Sequence, residues 1–138
     1  MSFIKKYFIP TILSLLLIGL FSCEEDTEEK TDDTEIVGNW NLIQAYTDPG
    51  DGSGAFKAVD SSKKLVILSD GTFTSNYSMC VMNAETDETG SGTYNQTDSL
   101  MYPVGCDYKL WFYMTQSGHL EVHYPCIEGC GERYEKVE

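Results

Sequence analysis

The sequence predicts an all-β domain, a small antiparallel up-and-down β-barrel of about eight strands. Three observations predict it. From Ile36 to the C-terminus, apolar residues recur with period two, the signature of half-buried strands. Tight-turn residues such as Ser69-Asp70-Gly71 and Gln116-Ser117-Gly118 punctuate these runs. No window beyond residue 22 carries a helical apolar stripe. A meander of short antiparallel strands removes its exposed edges most economically by closing on itself. A twisted open sandwich has the same periodicity and is the alternative.

Taken in order, Trp40, Leu42 and Tyr46 alternate with Asn39, Asn41 and Ala45 in a long first strand. Leu65–Leu68 is a short apolar strand, and Ser69-Asp70-Gly71 turns it into a second run in which Phe73, Ser75 and Tyr77 share a face. Residues 92–96 and 99–102 form a weaker pair around Thr97-Asp98. Tyr108, Leu110, Phe112 and Met114 mark a firm strand. After the next turn, Leu120, Val122 and Tyr124 alternate with His119, Glu121 and His123, and residues 133–137 supply the last strand.

Residues 1–22 stand apart from this domain. Lys5 and Lys6 precede an apolar stretch from Tyr7 to Phe21 that is interrupted by Pro10, Thr11, Ser14 and Gly19. It is shorter than the roughly 20 residues of a spanning helix. It ends in Leu20-Phe21-Ser22-Cys23, a small residue directly before Cys. That order reads as a bacterial lipoprotein signal: a signal peptide over 1–22, with acyl chains such as palmitate added at Cys23. Each buried methylene contributes about 0.8 kcal/mol, and stable attachment takes more than one chain. Residues 24–35 hold eight acids, one Lys and no apolar residue, the composition of a solvated tether. The domain organisation is therefore a signal peptide (1–22), a lipidated Cys with an acidic tether (23–35) and one β-barrel domain (36–138). Glu24-Glu25-Asp26, directly after the lipidated Cys, resembles the export signal that carries Bacteroidetes lipoproteins to the cell surface. This resemblance implies an outer-membrane, surface-facing protein, the periplasmic face being the alternative.

The formal charge is −13, and the signal carries two lysines and no acid, so the processed chain stands at −15. That balance excludes nucleic acid, whose phosphates call for Lys and Arg, and also docking on anionic headgroups through basic segments. With Cys23 consumed by lipid, Cys80, Cys106, Cys126 and Cys130 remain, an even number in an exported domain. Three pairings are possible. Cys126 and Cys130 flank Ile127-Glu128-Gly129, a three-residue hairpin loop that brings its ends within bridging distance, which leaves Cys80 to Cys106. Loop-closure entropy assigns about 3–4 kcal/mol to the longer bridge and about 2 kcal/mol to the shorter.

Gly38-Asn39-Trp40 matches the G-x-W that opens the first strand of lipocalins. In that family the Trp crosses the closed end of the barrel under a basic residue of the last strand. Residues 36–137 accordingly resemble the lipocalin-like lipoproteins of Bacteroidetes. The resemblance implies that Arg133 caps Trp40 by a cation–π contact, with Lys136 the second choice. At about 100 residues the domain is shorter than a full-size lipocalin, so any cavity is small.

Two functional expectations follow. In the first, the barrel binds a small apolar ligand or glycan fragment, with Trp40, Phe73, Tyr77, Leu110, Phe112 and Val122 lining its interior. In the second, the barrel is filled by its own side chains, and Trp111 and Tyr113, which face away from Leu110 and Phe112, meet another envelope protein. His119, Glu121 and His123 share one strand face but are splayed about 7 Å apart, too wide for a common tetrahedral ion, so no metal is assigned. The Asp48–Gly54 loop departs from the calcium-loop spacing and reads as a glycine-rich turn. No cofactor is expected. With no nucleophile motif and no phosphate cradle, the chain reads as a non-enzyme.

Overall fold

The computed structural model describes residues 35–82 and 85–138; the signal, Cys23 and the tether up to residue 34 lie outside the described residues. Nine strands follow in chain order: β1 (Gly38–Thr47), β2 (Ala55–Ala58), β3 (Lys64–Ile67), β4 (Thr72–Ser75), β5 (Gly90–Asn95), β6 (Leu100–Pro103), β7 (Leu110–Met114), β8 (Leu120–Tyr124) and β9 (Cys130–Val137). All pairings are antiparallel. From β3 to β9 each strand pairs with the next, and β1 bonds to both β3 and β9, closing an eight-stranded barrel. The expected barrel is present, and β2 is an extra strand outside the ring.

Closure is made by β1, which serves three partners. Its first half pairs with β3 through Gly38–Asn41, and its second half passes to β2 through Gln44–Thr47. Along its other edge it pairs with β9 throughout, with a bulge between Leu42 and Gln44. Opposite those two residues, Tyr134 and Arg133 are consecutive, so the extra residue inverts the side-chain parity. Leu42 and Ala45 therefore both lie in the core, and Tyr46 turns outward onto Phe56 of β2, with ring centroids 5.3 Å apart. Strict alternation placed Tyr46 with Trp40; the bulge corrects it.

The interior is packed by the inward residues of every ring strand. Trp40, Leu65, Ile67, Phe73, Met101, Leu110, Leu120, Val122 and Tyr134 have no accessible surface. Phe73 fits because its register partner on β5 is Gly92, where a Cβ would stand only 2.7 Å from the ring. Tyr94 meets Phe112 edge-on at 6.2 Å.

The two ends differ. Short turns join β3 to β4, β5 to β6 and β7 to β8 at the end where the chain enters. There Trp40 donates its indole N–H to the Ile36 carbonyl at 2.8 Å. Lys136 reaches back to the Glu35 carbonyl at 2.9 Å. At the opposite end lie the longer β4–β5 and β6–β7 connections and the β8–β9 turn, and both disulfides sit there. Cys80–Cys106 ties the β4–β5 connection to the β6–β7 connection, and Cys126–Cys130 closes the β8–β9 turn, in which Gly129 takes a left-handed φ of 95°. Met79, from the β4–β5 connection, is buried in the core and plugs this mouth.

Candidate functional site

Two polar constellations and one aromatic surface carry the chemistry of the described residues. The first lies inside the barrel, toward the mouth. Val122 and Tyr134 point inward, so Glu132, register partner of Val122 and two residues before Tyr134, must do the same. Lys63, in the connection between β2 and β3, enters to meet it, with Nζ 3.0 Å from Oε1 and both side chains fully buried. The other carboxylate oxygen accepts the hydroxyls of Tyr124 at 2.7 Å and Tyr134 at 2.5 Å. The ammonium also lies 3.4 Å from the Tyr124 oxygen and 5.9 Å from its ring centre. Burial, then the Glu132 charge, pushes both phenols well above their ordinary pKa. They remain hydrogen-bond donors to the carboxylate at any physiological pH. Three donors and an opposite charge are what a buried carboxylate needs to offset its desolvation.

The second constellation lies on the outer wall, around Glu121. One oxygen accepts Nε and a terminal nitrogen of Arg133 at 2.8 and 2.5 Å; the other accepts the Tyr113 hydroxyl and lies 3.2 Å from Nε2 of His123. Burial pushes this carboxyl upward, but the hydrogen bonds from Tyr113, Arg133 and His123 outweigh it and hold the pKa below the usual range. Tyr113, half-exposed, is pushed up to about 12 by burial and by the neighbouring carboxylate. Arg133 also donates to Gln44 at 2.7 Å and lies over Phe56 of β2, with Cζ 3.8 Å from the ring centre. This row of outward groups fastens β2 to the ring.

The aromatic surface is on β6 and β7. Trp111 and Tyr102 are each 44% exposed and Tyr113 is 48% exposed. Trp111 and Tyr102 line a surface hollow of about 510 Å³ with Pro103, Cys106, Asp107, Tyr108, Lys109 and Pro125. Within its lining, the Tyr108 hydroxyl donates to the Cys80 carbonyl, beside the long disulfide.

Of the residues expected to line a ligand cavity, Trp40, Phe73, Leu110, Phe112 and Val122 are brought together, packed against one another in the core. Tyr77 is not among them. It lies beyond the end of β4, half-buried, with its hydroxyl 2.7 Å from Ser62 Oγ at the mouth. The cation over Trp40 is Lys136 at 5.4 Å, and Arg133 is corrected to the outer wall. Parity decides this: Trp40 and Lys136 are register partners on the inward side, whereas Arg133 alternates to the outside. The cysteines pair as 80–106 and 126–130, with Cα separations of 5.3 and 6.0 Å. Cys23 lies outside the described residues. His119 turns to Ser117, while His123 joins Glu121. Among the described residues no group of three or more His, Cys, Asp or Glu could hold a metal ion. In the Asp48–Gly54 loop, Asp48 accepts the amides of Gly50 and Gly52 at 2.8 and 3.2 Å, and Asp51 that of Ser53 at 2.9 Å. These are turn contacts.

Sequence reasoning missed Lys63, Glu132, Tyr124 and Tyr134 as a unit. One signal could have found it: once Tyr134 faces inward, Glu132 shares its parity, and a carboxylate on the inner face demands a partner.

No family model, curated protein or solved structure matches this chain.

Proposed function

We propose that the chain is a lipid-anchored envelope protein whose barrel is a filled scaffold. Its recognition face is the aromatic hollow around Trp111, taking a neutral glycan fragment. The observation that carries this reading is the contrast between the two tryptophans. Trp40 has no accessible surface, whereas Trp111 is 44% exposed beside an equally exposed Tyr102. Exposed rings at the edge of a concavity, with Asp107 and Lys109 supplying polar groups of both signs, suit a ligand that has apolar faces and hydroxyl edges. The charge of −13 disfavours an anionic one.

The placement of the hollow is consistent with the anchor. The chain enters the barrel at the end closed by Trp40, where Glu35 and Ile36 are fastened. The β6–β7 connection that borders the hollow is at the opposite end. A lipid at Cys23 would tether the chain at its entry end, the end away from the hollow. The exposed apolar surface continues past the hollow to Tyr113, which favours a second reading in which the same face meets an envelope protein.

The test is titration of the protein with neutral oligosaccharides while following tryptophan fluorescence. A saturable change that Trp111→Ala abolishes, with thermal stability kept, supports the glycan reading. No change across such a panel, together with crosslinking of an envelope protein through position 111, replaces it with the second.

A further inference from the structure

Glu132, Tyr124 and Tyr134 form a receptor for one cation, and the chain fills it from a loop. We propose that the mouth of the barrel is a binding site for an aliphatic primary amine, a linear diamine in particular, in which Lys63 is the resident stand-in. This site is separate from the aromatic hollow, and the proposal does not depend on what that hollow binds.

The receptor belongs to the wall and its occupant does not. Tyr124 is on β8 and Glu132 and Tyr134 are on β9, fixed by the ladder between those strands. Lys63 lies outside any strand, in the connection from β2 to β3. A carboxylate at 3.0 Å, a phenol oxygen at 3.4 Å and a ring centre at 5.9 Å are the recognition chemistry of an ammonium group. Removing the lysine alone would strand a buried charge. Exchanging one ammonium for another would not, so displacement by an amine avoids the main cost of opening.

The loop that carries Lys63 is held mostly from the surface. Glu85 accepts the Ser61 hydroxyl at 3.0 Å and the Ser62 amide at 2.9 Å, and the Asn76 side chain donates to the Ser62 carbonyl at 2.8 Å. Beneath it, the Leu42 amide donates to the Lys63 carbonyl at 3.0 Å. Beside this loop is a hollow of about 310 Å³ walled by Leu42, Val59, Asp60, Ser61 and Glu85. Leu42 is the register partner of Tyr134, so the hollow abuts the wall that holds the receptor. Among the described residues, its lining contains two carboxylates and no Lys or Arg. A diamine would place one ammonium at Glu132, run its methylenes along the path of the lysine stem, and leave the second ammonium between Asp60 and Glu85. The net negative charge of the chain favours the approach of such a ligand.

The experiment is amide hydrogen exchange on the full chain in detergent, with butane-1,4-diamine as the probe and tetramethylammonium at equal ionic strength as the control. Tetramethylammonium is a singly charged quaternary cation with no N–H donor, so its concentration is set to match the ionic strength of the doubly charged diamine. The diamine is expected to accelerate exchange at residues 59–63 and at the Leu42 amide in a saturable way, and the control to leave them unchanged. No acceleration by the diamine, or equal acceleration by both cations, overturns the proposal. A second arm uses Lys63→Ala, which empties the receptor. It should bind n-butylammonium at least about tenfold more tightly than the wild type, since no tethered competitor remains, and Glu132→Gln should abolish the diamine response. A diamine response that persists in Glu132→Gln would assign the effect to the acidic surface and refute the site.

Discussion

At the end where the chain enters, the barrel is shut by apolar packing. Trp40 and Ile36 are buried there, joined by the indole N–H to the Ile36 carbonyl, and Lys136 lies 5.4 Å from the Trp40 ring centre. At the mouth, longer connections are held by two disulfides, by the Lys63–Glu132 pair and by the hydrogen bonds of Glu85. The difference teaches how a domain of about 100 residues divides its stability. Short hairpins suffice where side chains alone can fill the cross-section. Longer connections leave more entropy to remove, and covalent and ionic ties remove it. The first end should respond to loss of volume. The second should respond to reductant and to loss of charge.

The largest effects are expected where each end has its anchor. Trp40→Ala should destabilise the domain by about 3–5 kcal/mol in urea unfolding, in oxidised and reduced protein alike. Less than about 1 kcal/mol would mean that the floor does not depend on this ring. Lys63→Met should cost a similar 3–5 kcal/mol, because Glu132 is left charged in the interior. Adding Glu132→Leu to Lys63→Met should recover most of that loss, an outcome that separates an unpaired charge from a lost packing contact. If both Lys63 variants unfold at the wild-type midpoint, the ionic account of the mouth is wrong.

Replacing Cys80 and Cys106 by Ser should cost about 3–4 kcal/mol, and replacing Cys126 and Cys130 about 2 kcal/mol, on the loop each bridge closes. Equal costs would argue that strain or packing, and not loop entropy, sets their worth. The smallest effect concerns Glu85. Its pKa is lowered chiefly by the Ser62 amide and the Ser61 hydroxyl. A carboxyl depressed in the folded state contributes its hydrogen bonds above the ordinary carboxylate range and loses them as pH falls through the depressed value. The Ser62 amide resonance should therefore move in acid with an apparent pKa below 4.5, the ordinary value, while the Trp40 indole proton stays in place. Simultaneous movement of both would mean that the two ends open as one unit.

The barrel was legible because its core strands obey period two without interruption. Leu110, Phe112, Leu120 and Val122 fall on the face that alternation assigns them. What escaped alternation was local or short. The bulge after Leu42 reversed Tyr46, and nothing in Leu42-Ile43-Gln44 marks it. β2 escaped because Ala55-Phe56-Lys57-Ala58 has one large apolar residue, which packs against Tyr46, a residue misassigned by alternation, and against Arg133, distant in sequence. Lys63 escaped because a loop lysine beside Lys64 reads as solvated. Only the fold shows that one of the two is buried and the other exposed. Arg133 was paired with Trp40 by resemblance; only once the fold turns Tyr134 inward does parity place Arg133 outside.

Acrylamide quenching of tryptophan fluorescence tests most directly whether the interior is filled and the outer face is the surface available to a ligand. Trp111→Phe leaves Trp40 as the sole emitter; Trp40→Phe leaves Trp111. The account predicts that the first variant is almost unquenched and that the second is quenched strongly. Strong quenching of the Trp111→Phe protein while it remains folded would show an interior open to small molecules and would contradict the account.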